Sequence, residues 1–186
     1  MDFFETDIPD IFKTYVGEEH FEYCINCGKY LLEEGTHYMI EKAFKDNEVE
    51  FEHAICIDCA QNMQTTMSPE SMQNIEAFFK GKFNENERME KLFSEGEPSI
   101  ERWMNNCIIS NDQIDNLKEY QVYAHCNGDK LVYSVTPFII SGKIIEEMSE
   151  LLSAKTKEEL DDYMDKHFNL PPEWKEALKN KKILLI

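Results

Sequence analysis

The sequence predicts an α+β fold, in which an N-terminal four-cysteine module precedes a mainly helical region with one β-hairpin. Three observations lead to this fold class. Two Cys-x-x-Cys pairs, Cys24-Ile-Asn-Cys27 and Cys56-Ile-Asp-Cys59, are separated by 28 residues. The dipeptide Asn127-Gly128 lies between two runs of alternating apolar residues, which is the pattern of a tight hairpin. Elsewhere, apolar residues recur every three or four positions, as they do in amphipathic helices.

The two cysteine pairs have the spacing of a tetrahedral four-thiolate metal site. Two intervening residues let both sulfurs of a pair reach one ion from a single tight turn, and Gly28 suits a turn position with positive φ. We therefore predict one Zn²⁺ per chain, bound by Cys24, Cys27, Cys56 and Cys59. Four thiolates leave no position for substrate or water, so this zinc is expected to be structural.

The segment between the cysteine pairs is predicted to form a hairpin. Short strands are expected over residues 29–40 and 49–55, with a turn at Asp46-Asn47, and a helix follows Cys59. This order of cysteine turn, hairpin and helix resembles treble-clef zinc fingers, the group that includes LIM-type modules. The resemblance covers about residues 20–68 and depends on the four cysteines. It implies a fold for this segment and zinc ligation, but treble clefs serve many unrelated functions.

His53 is an alternative fourth ligand to Cys59, because a His-x-x-Cys run supplies two ligands in LIM-type fingers. A LIM domain would need a second ligand quartet directly afterwards, and residues 60–106 contain no cysteine. Nucleases of the His-Asn-His type also use a treble clef, but His37 and His53 do not form their motif. Ligation by all four cysteines is therefore the preferred interpretation.

Helical patterns dominate the rest of the chain. Ser68-Pro69-Glu70 predicts a helix start, and Thr156-Lys-Glu-Glu159 is a capping box for a later helix. A short helix after Pro171 and a last strand over residues 181–186 end the prediction. The faces expected to pack in the core are Ile8/Ile11/Phe12/Tyr15, Met72/Ile75/Phe78/Phe79, Met89/Leu92/Phe93, Ile100/Trp103/Met104/Cys107/Ile108, Ile144/Ile145/Met148/Leu151/Leu152 and Leu160/Tyr163/Met164/Phe168.

The hairpin over residues 120–135 is the clearest local prediction. Asn127-Gly128 predicts a two-residue type I′ turn. That turn sets a register in which six apolar residues lie on one face of the hairpin. The predicted pairs are Ala124 with Leu131, Val122 with Tyr133 and Tyr120 with Val135.

Gly96-Glu97-Pro98 is the best candidate for a domain boundary. Residues 1–97 would form the zinc-binding module with its acidic N-terminal segment and helices, and residues 98–186 the helical region with the hairpin. The sequence is also compatible with a single core shared by both parts.

The chain is strongly acidic, with a net charge of −18, and residues 1–60 alone carry 15 acids and 4 bases. Nucleic-acid binding is disfavoured, because phosphate contacts require clustered Lys and Arg. An acidic field favours basic partners and speeds their approach, although it would also serve solubility alone. The first five residues, Met-Asp-Phe-Phe-Glu, do not resemble an export signal, and no apolar run is long enough for a bilayer. We therefore expect a cytoplasmic protein with reduced thiols.

The sequence evidence for a catalytic site is weak. Cys107 and Cys126 are expected to be buried and inert, although with His125 they are candidates for a second metal site, and with His125 or His167 for a catalytic thiol. A redox role for the Cys-x-x-Cys pairs would require one pair at a strand-to-helix turn of a βαβ unit. Adjacent acids such as Glu146-Glu147 diverge on a helix and are expected to be solvated.

The predicted function is therefore non-enzymatic: a zinc-stabilised acidic module that binds a basic protein. One version of this hypothesis is an immunity- or antitoxin-like protein that blocks a nucleic-acid-binding toxin by presenting carboxylates in place of phosphates. The alternative is an enzyme, either thiol redox or hydrolytic, with its site in the C-terminal half. A solvent-exposed Cys107 or Cys126 beside a histidine would favour that alternative.

Overall fold

The computed structural model describes residues 4–168. Within this range, six strands form one antiparallel sheet, accompanied by six α-helices. The strands are β1 (Phe4–Asp7), β2 (His37–Lys45), β3 (Glu48–Cys56), β4 (Glu119–Asn127), β5 (Lys130–Tyr133) and β6 (Phe138–Ser141). The helices are α1 (Ile57–Thr66), α2 (Pro69–Phe79), α3 (Glu85–Ser94), α4 (Ile100–Trp103), α5 (Gly142–Glu150) and α6 (Ala154–His167). The helix expected after Pro171 and the strand expected over residues 181–186 lie outside the described residues.

The sheet is built around β4. One edge of β4 pairs with β2 along its whole length, from His37–Asn127 to Lys45–Glu119. Its other edge is shared by two short strands, with β5 beside residues 125–127 and β6 beside residues 120–123. The order across the sheet is β1-β5-β4-β2-β3, with β6 on β4.

The predicted fold class, a zinc module followed by a mainly helical region, is wrong. The hairpin between the cysteine pairs is not a small separate module, because β2 and β3 are each nine residues long and β2 pairs with β4 from the second half of the chain. Strand β6 was not predicted, because all four of its residues are buried and polar and apolar residues do not alternate along it. Strand β1, also four residues long, is too short to establish a period.

The β2–β3 turn is confirmed, but the predicted bounds of β2 are not. Asp46 and Asn47 have φ of 49° and 68°, the backbone of a type I′ turn. Residues 29–36 do not belong to the strand, which instead continues to Lys45. The earlier segment is held by the cysteine turn, where the amide of Leu31 donates to the carbonyl of Glu22 at 2.8 Å.

The β4–β5 hairpin is confirmed, but its predicted register is wrong. Leu131 pairs with Cys126 and not with Ala124. The turn is Gly128-Asp129, in which only Gly128 has a positive φ, +57°, as in a type II′ turn. Because the shift moves the pairing by an even number of residues, five of the six apolar residues stay on one face, and the sixth, Val135, lies beyond the end of β5. Val122 and Tyr120 pair with β6 and not with β5 as predicted.

Asn127 explains this shift. It is the last residue of β4, and its side chain accepts a hydrogen bond from the amide of Gly35 at 2.8 Å and donates to Glu5 at 3.0 Å. These contacts tie the end of β4 to two other segments. Because these contacts hold Asn127 as the last residue of β4, the turn begins at Gly128, one residue later than predicted.

Helices α2, α3 and α5 are confirmed, including the cap at Ser68, whose hydroxyl accepts from the amide of Ser71. The predicted cap of α6 is wrong, since the helix begins before Thr156 and Ser153 is the capping residue. Helix α4 ends at Trp103, so the later members of its predicted stripe lie in the following loop.

The predicted N-terminal helix is also wrong. Asp10–Phe12 form only a single 3-10 turn, preceded by β1, which pairs with β5. Ile8 and Phe12 are buried as expected, but the side chain of Tyr15 is 55% exposed. Pairing to the sheet edge fixes this segment as an extended chain despite its helical spacing.

The two faces of the sheet are covered differently. One face packs against the N-terminal segment, the cysteine turn and Trp103. The other packs mainly against α5, through Ile144, Ile145 and Met148. The predicted boundary at Gly96-Glu97-Pro98 stays a prediction, although β2 and β4 pair across it. Among residues 4–168, no helix is both long and apolar enough to cross a membrane.

Candidate metal centre

The four cysteines predicted as ligands meet at one point. Cys24 and Cys27 lie on a turn closed by a bridge between Tyr23 and Tyr30. Cys56 is the last residue of β3 and the N-cap of α1, and Cys59 lies in the first turn of that helix. All four sulfur atoms lie within 4.8 Å of one another.

Backbone hydrogen bonds shape the turn that carries Cys24 and Cys27. The amide of Cys24 donates to the carbonyl of Lys29, and the amide of Gly28 donates to the carbonyl of Cys24, both at 2.9 Å. Gly28 has a φ of +71°, which costs glycine little. The amide of Ile25 donates to the carbonyl of Ala54 at 2.9 Å, which fixes the turn against β3.

The spacing of the sulfurs fits zinc. A Zn–S bond is about 2.3 Å, so two sulfurs of a regular tetrahedron lie about 3.8 Å apart. The Cys27 and Cys56 sulfurs are 3.8 Å apart. Three of the four cysteines are buried, and Cys27 is exposed at the rim. The two Cys-x-x-Cys pairs therefore form a closed, four-sulfur site for one metal ion.

The thiols have unequal acidities. Burial by itself raises the pKa of Cys24, but amide donors, chiefly that of Cys56 at 3.4 Å, lower the pKa to about 7. Burial raises the pKa of Cys56 to about 12 and also raises the pKa of Cys59. Buried thiols packed together resist ionisation because each added negative charge repels the next. A divalent cation at their centre would remove that cost.

His53, the alternative ligand, is not a member of the sulfur cluster. It lies on β3 three residues before Cys56, and residues three apart on a strand point to opposite faces. Its ring lies instead beside Glu41, with His53 Nε2 3.9 Å from a carboxylate oxygen. A His-x-x-Cys run supplies two ligands only when it lies on a turn, which a nine-residue strand does not allow.

Sequence reasoning missed a buried polar cluster around His53, formed by Glu41, Gln121 and Tyr123. Glu41 pairs with both His53 and Tyr123 across neighbouring strands. The Tyr123 hydroxyl donates to Gln121 at 2.6 Å. The one sequence signal was an acid inside the apolar alternation of β2, since Glu41 lies between Ile40 and Lys42.

Several polar atoms of this cluster have no hydrogen-bond partner. Among residues 4–168, they include one oxygen of Glu41, both ring nitrogens of His53 and the hydroxyl of Tyr163. Burial raises the pKa of Glu41 well above its usual range and lowers the pKa of His53 to about 3. His53 is therefore neutral at pH 7, and burial favours the protonated, neutral form of Glu41, as expected where charge would be desolvated.

The remaining thiols do not come together. Cys107 and Cys126 are 2% and 0% exposed and belong to the cores on opposite faces of the sheet. His125 points away from Cys126, and its Nε2 lies 3.0 Å from Nδ1 of His37. In residues 4–168 the four clustered cysteines are the one group of three or more metal-type ligands, so the second metal site is not formed. The exposed thiol expected of an enzyme is likewise not found at Cys107 or Cys126.

The segment that carries the cysteine turn has an acidic and aromatic surface. Tyr23 and Tyr30 bracket the turn itself, whereas Tyr15 lies toward the other end of β3, where its hydroxyl donates to Glu48 at 3.1 Å. Tyr15, Val16, Tyr23 and Tyr30 are 55%, 86%, 59% and 46% exposed, and the rings of Tyr23 and Tyr30 contact each other. Exposed acids from the same part of the chain are Glu5, Asp7, Asp10, Glu18, Glu19, Glu22, Glu33, Glu34, Asp46, Glu48 and Asp58. We call Tyr15, Val16, Glu18, Glu19, Glu22, Tyr23 and Tyr30 the acidic-aromatic surface.

Comparison of the chain with models of known protein families, with curated proteins and with solved structures gave no match. Its function is therefore argued from its own residues.

Proposed function

We propose that the protein is a zinc-stabilised, acidic protein-binding module. Cys24, Cys27, Cys56 and Cys59 hold one structural Zn²⁺, and the acidic-aromatic surface binds a basic protein. The observation that carries the first half is the convergence of four sulfurs from distant parts of the chain to within 4.8 Å. Four thiolates at tetrahedral spacing suit Zn²⁺, and the order of cysteine turn, hairpin and helix around the four sulfurs resembles that of a treble-clef finger.

The zinc proposal is tested by metal content and chelation. Native mass spectrometry of the purified protein should give one Zn²⁺ per chain, and chelation should lower the melting temperature followed by circular dichroism. Cys27→Ser should lose the metal, because three thiolates hold zinc less tightly than four. Cys126→Ala, which removes a buried thiol outside the cluster, should keep it. A metal-free protein whose melting temperature is insensitive to chelator would contradict the proposal.

The second half rests on exposed tyrosines among acids. Tyrosine supplies large contact area at low entropy cost and is enriched at protein interfaces, whereas isolated acids serve solubility equally well. The exposed rings of Tyr23 and Tyr30 contact each other at a tilt of 59° at the cysteine turn, where zinc would hold the backbone rigid. A basic partner fits the carboxylates, and an immunity- or antitoxin-like role is the version of this function that the net charge of −18 favours.

Partner binding is tested by affinity capture at two salt concentrations, with the captured proteins identified by mass spectrometry. We expect basic partners that are lost at high salt and lost with Tyr23→Ala/Tyr30→Ala or with Glu18→Gln/Glu19→Gln/Glu22→Gln. The matched control is Glu158→Gln/Glu159→Gln/Asp162→Asn on α6, which removes the same charge elsewhere. Acidic partners, or capture that is indifferent to salt and to both surface variants, would contradict the proposed function.

A further inference from the structure

Two cavities adjoin each other on the side of the sheet edge formed by β6. The first, about 670 Å³, lies between α3, α4 and the loop that reaches Asn111. The second, about 500 Å³, lies between α2, α3 and β6. Phe83 and Ile108 line both cavities, so the two are adjacent, and each has the volume of a small-molecule site.

The first cavity is cationic in a strongly acidic protein. Arg88, Lys91 and Arg102 line it, together with Glu95 and Glu101. The lining therefore carries a net positive charge of one, against −18 for the chain. Such a local reversal of sign attracts an anion.

The two arginines are not neutralised by carboxylates. Arg88 donates to the carbonyls of Val135, Trp103 and Pro137 at 3.1, 2.8 and 3.0 Å. Arg102 donates to the carbonyl of Leu92. The ion pairs found among residues 4–168 involve lysines and His53, and neither arginine nor Lys91 takes part in one. A carbonyl oxygen accepts a hydrogen bond from the guanidinium group but carries no net charge, so each arginine keeps its full positive charge.

The second cavity is apolar. Its wall consists of aromatic and branched aliphatic side chains, with Glu76, Lys80 and Glu85 also lining it. The apolar members are Phe79, Phe83, Ile108, Val135, Phe138 and Ile140. Arg88 stands between the two cavities, because it lines the first and donates to the carbonyl of Val135, which lines the second.

We propose that the adjoining cavities bind a long-chain carboxylate, with its alkyl chain between Phe79, Phe83 and Phe138 and its head group near Lys91 and Arg102. The net charge of one positive unit favours an anionic head group over a neutral one. The apolar cavity requires a chain, since burying a short acid there would gain little free energy. This site is separate from the cysteine cluster and does not depend on the zinc or on a protein partner.

The test is a calorimetric titration of the full chain with dodecanoate, below its micelle concentration. We expect one dodecanoate per chain, and at least about tenfold weaker binding of dodecanol, which lacks the charge, and of butyrate, which lacks the chain. No binding of dodecanoate up to about 1 mM, or equal binding of dodecanol, would overturn the proposal.

Two variants locate the site. Lys91→Gln should weaken dodecanoate binding and leave dodecanol unchanged, while Phe83→Gln should weaken both. The control is Lys143→Gln, an exposed lysine on α5 with the same loss of charge, which should bind as the unchanged protein does. If Lys91→Gln and Lys143→Gln behave alike, the head-group assignment is wrong. A dimer seen by sedimentation and abolished by Phe83→Gln would instead assign this face to self-association, and would equally overturn the proposal.

Discussion

Glu41 and His53 are the residues where this sequence departs most from ordinary core chemistry. Both are almost fully buried, and they lie 3.9 Å apart at the centre of the sheet face under α6. Aromatic rings of Phe51, Tyr163 and Phe168 surround His53. Burial raises the pKa of Glu41 and lowers the pKa of His53, so the two groups make stability depend on pH with opposite signs.

His53 should make the protein less stable in acid. Its folded pKa of about 3 lies below the unfolded value of 6.5, so its contribution is complete above pH 6.5 and is lost as the pH falls toward 3. The expected loss is about 1 kcal/mol per pH unit within that window. Urea unfolding of the zinc-loaded protein between pH 4 and 7 measures it, with His53→Phe as reference, because both proteins share the acid-sensitive thiolates. Parallel curves for the two proteins would contradict the assignment.

Glu41 should act in the opposite direction. Burial raises its folded pKa well above 4.5, so its contribution is complete below that value and is lost as the pH rises toward the folded pKa. Glu41→Gln removes this group, so its stability relative to the unchanged protein should be higher at pH 8 than at pH 4. The same urea series, extended to pH 8, detects the difference. A constant gap between the two proteins across this range would mean that Glu41 is ionised or solvated in the folded state.

At the scale of elements, helices α2 and α6 are joined at their N-termini. Their capping hydroxyls, Ser68 and Ser153, lie 2.8 Å apart, and the amide of Ser153 donates to Ser71 at 2.9 Å. The hydroxyl of Thr156 accepts from the amide of Ser68 at 3.0 Å. Thr156 was the cap expected from sequence, but it lies inside α6 and is buried. Its hydroxyl instead accepts from the amide of Ser68, the N-cap residue of α2.

Removing the shared cap should therefore cost more than removing an isolated one. Ser153→Ala is expected to lower the free energy of unfolding by about 2 kcal/mol, since it removes a cap and leaves neighbouring hydroxyls unpaired. Ser99→Ala, which removes a single cap bond of 3.4 Å on the four-residue α4, should cost about 0.5 kcal/mol. Denaturant unfolding compares them. Equal costs would mean that the two helix ends are energetically independent.

A double-mutant cycle gives the coupling directly. The cost of Ser68→Ala/Ser153→Ala should be smaller than the sum of the two single costs, because either substitution already breaks the bond between the hydroxyls. Additive costs would contradict the shared network.

At the scale of the whole molecule, the net charge of −18 is the dominant long-range feature. Residues 1–60 carry much of this charge, and exposed acids such as Glu18, Glu33 and Glu48 repel one another across the surface. Folding brings these charges closer together than they are in the unfolded chain. Self-repulsion therefore lowers stability at low ionic strength.

Salt should raise the melting temperature. Screening lengths fall from about 30 Å at 0.01 M to about 8 Å at 0.15 M salt, so most of the repulsion is removed within that range. We expect a rise of a few degrees by circular dichroism, and a smaller rise for Glu18→Gln/Glu19→Gln/Glu22→Gln. A melting temperature that falls with salt would mean that ion pairs outweigh repulsion in this protein.

The sequence by itself determined the features that depend on local spacing. Cys24, Cys27, Cys56 and Cys59 meet as their two-residue gaps predicted, because a gap of that length fixes two sulfurs on one turn. The β2–β3 turn at Asp46-Asn47, the cap at Ser68 and the buried stripe of α5 were predicted for the same reason, since each depends on residues only a few positions apart.

Only the tertiary structure decided which segments join the sheet. β1 adds to β5, and β6 adds to the free edge of β4, although neither has a period of its own. The pairing of β2 with β4 joins residues 74 to 90 positions apart, and it brings strands from both halves of the chain into one six-stranded sheet. It also placed Glu41 beside Tyr123 and drew Asn127 into a strand. Backbone pairing across such distances depends on which edges are left open, and no window of the sequence contains that information.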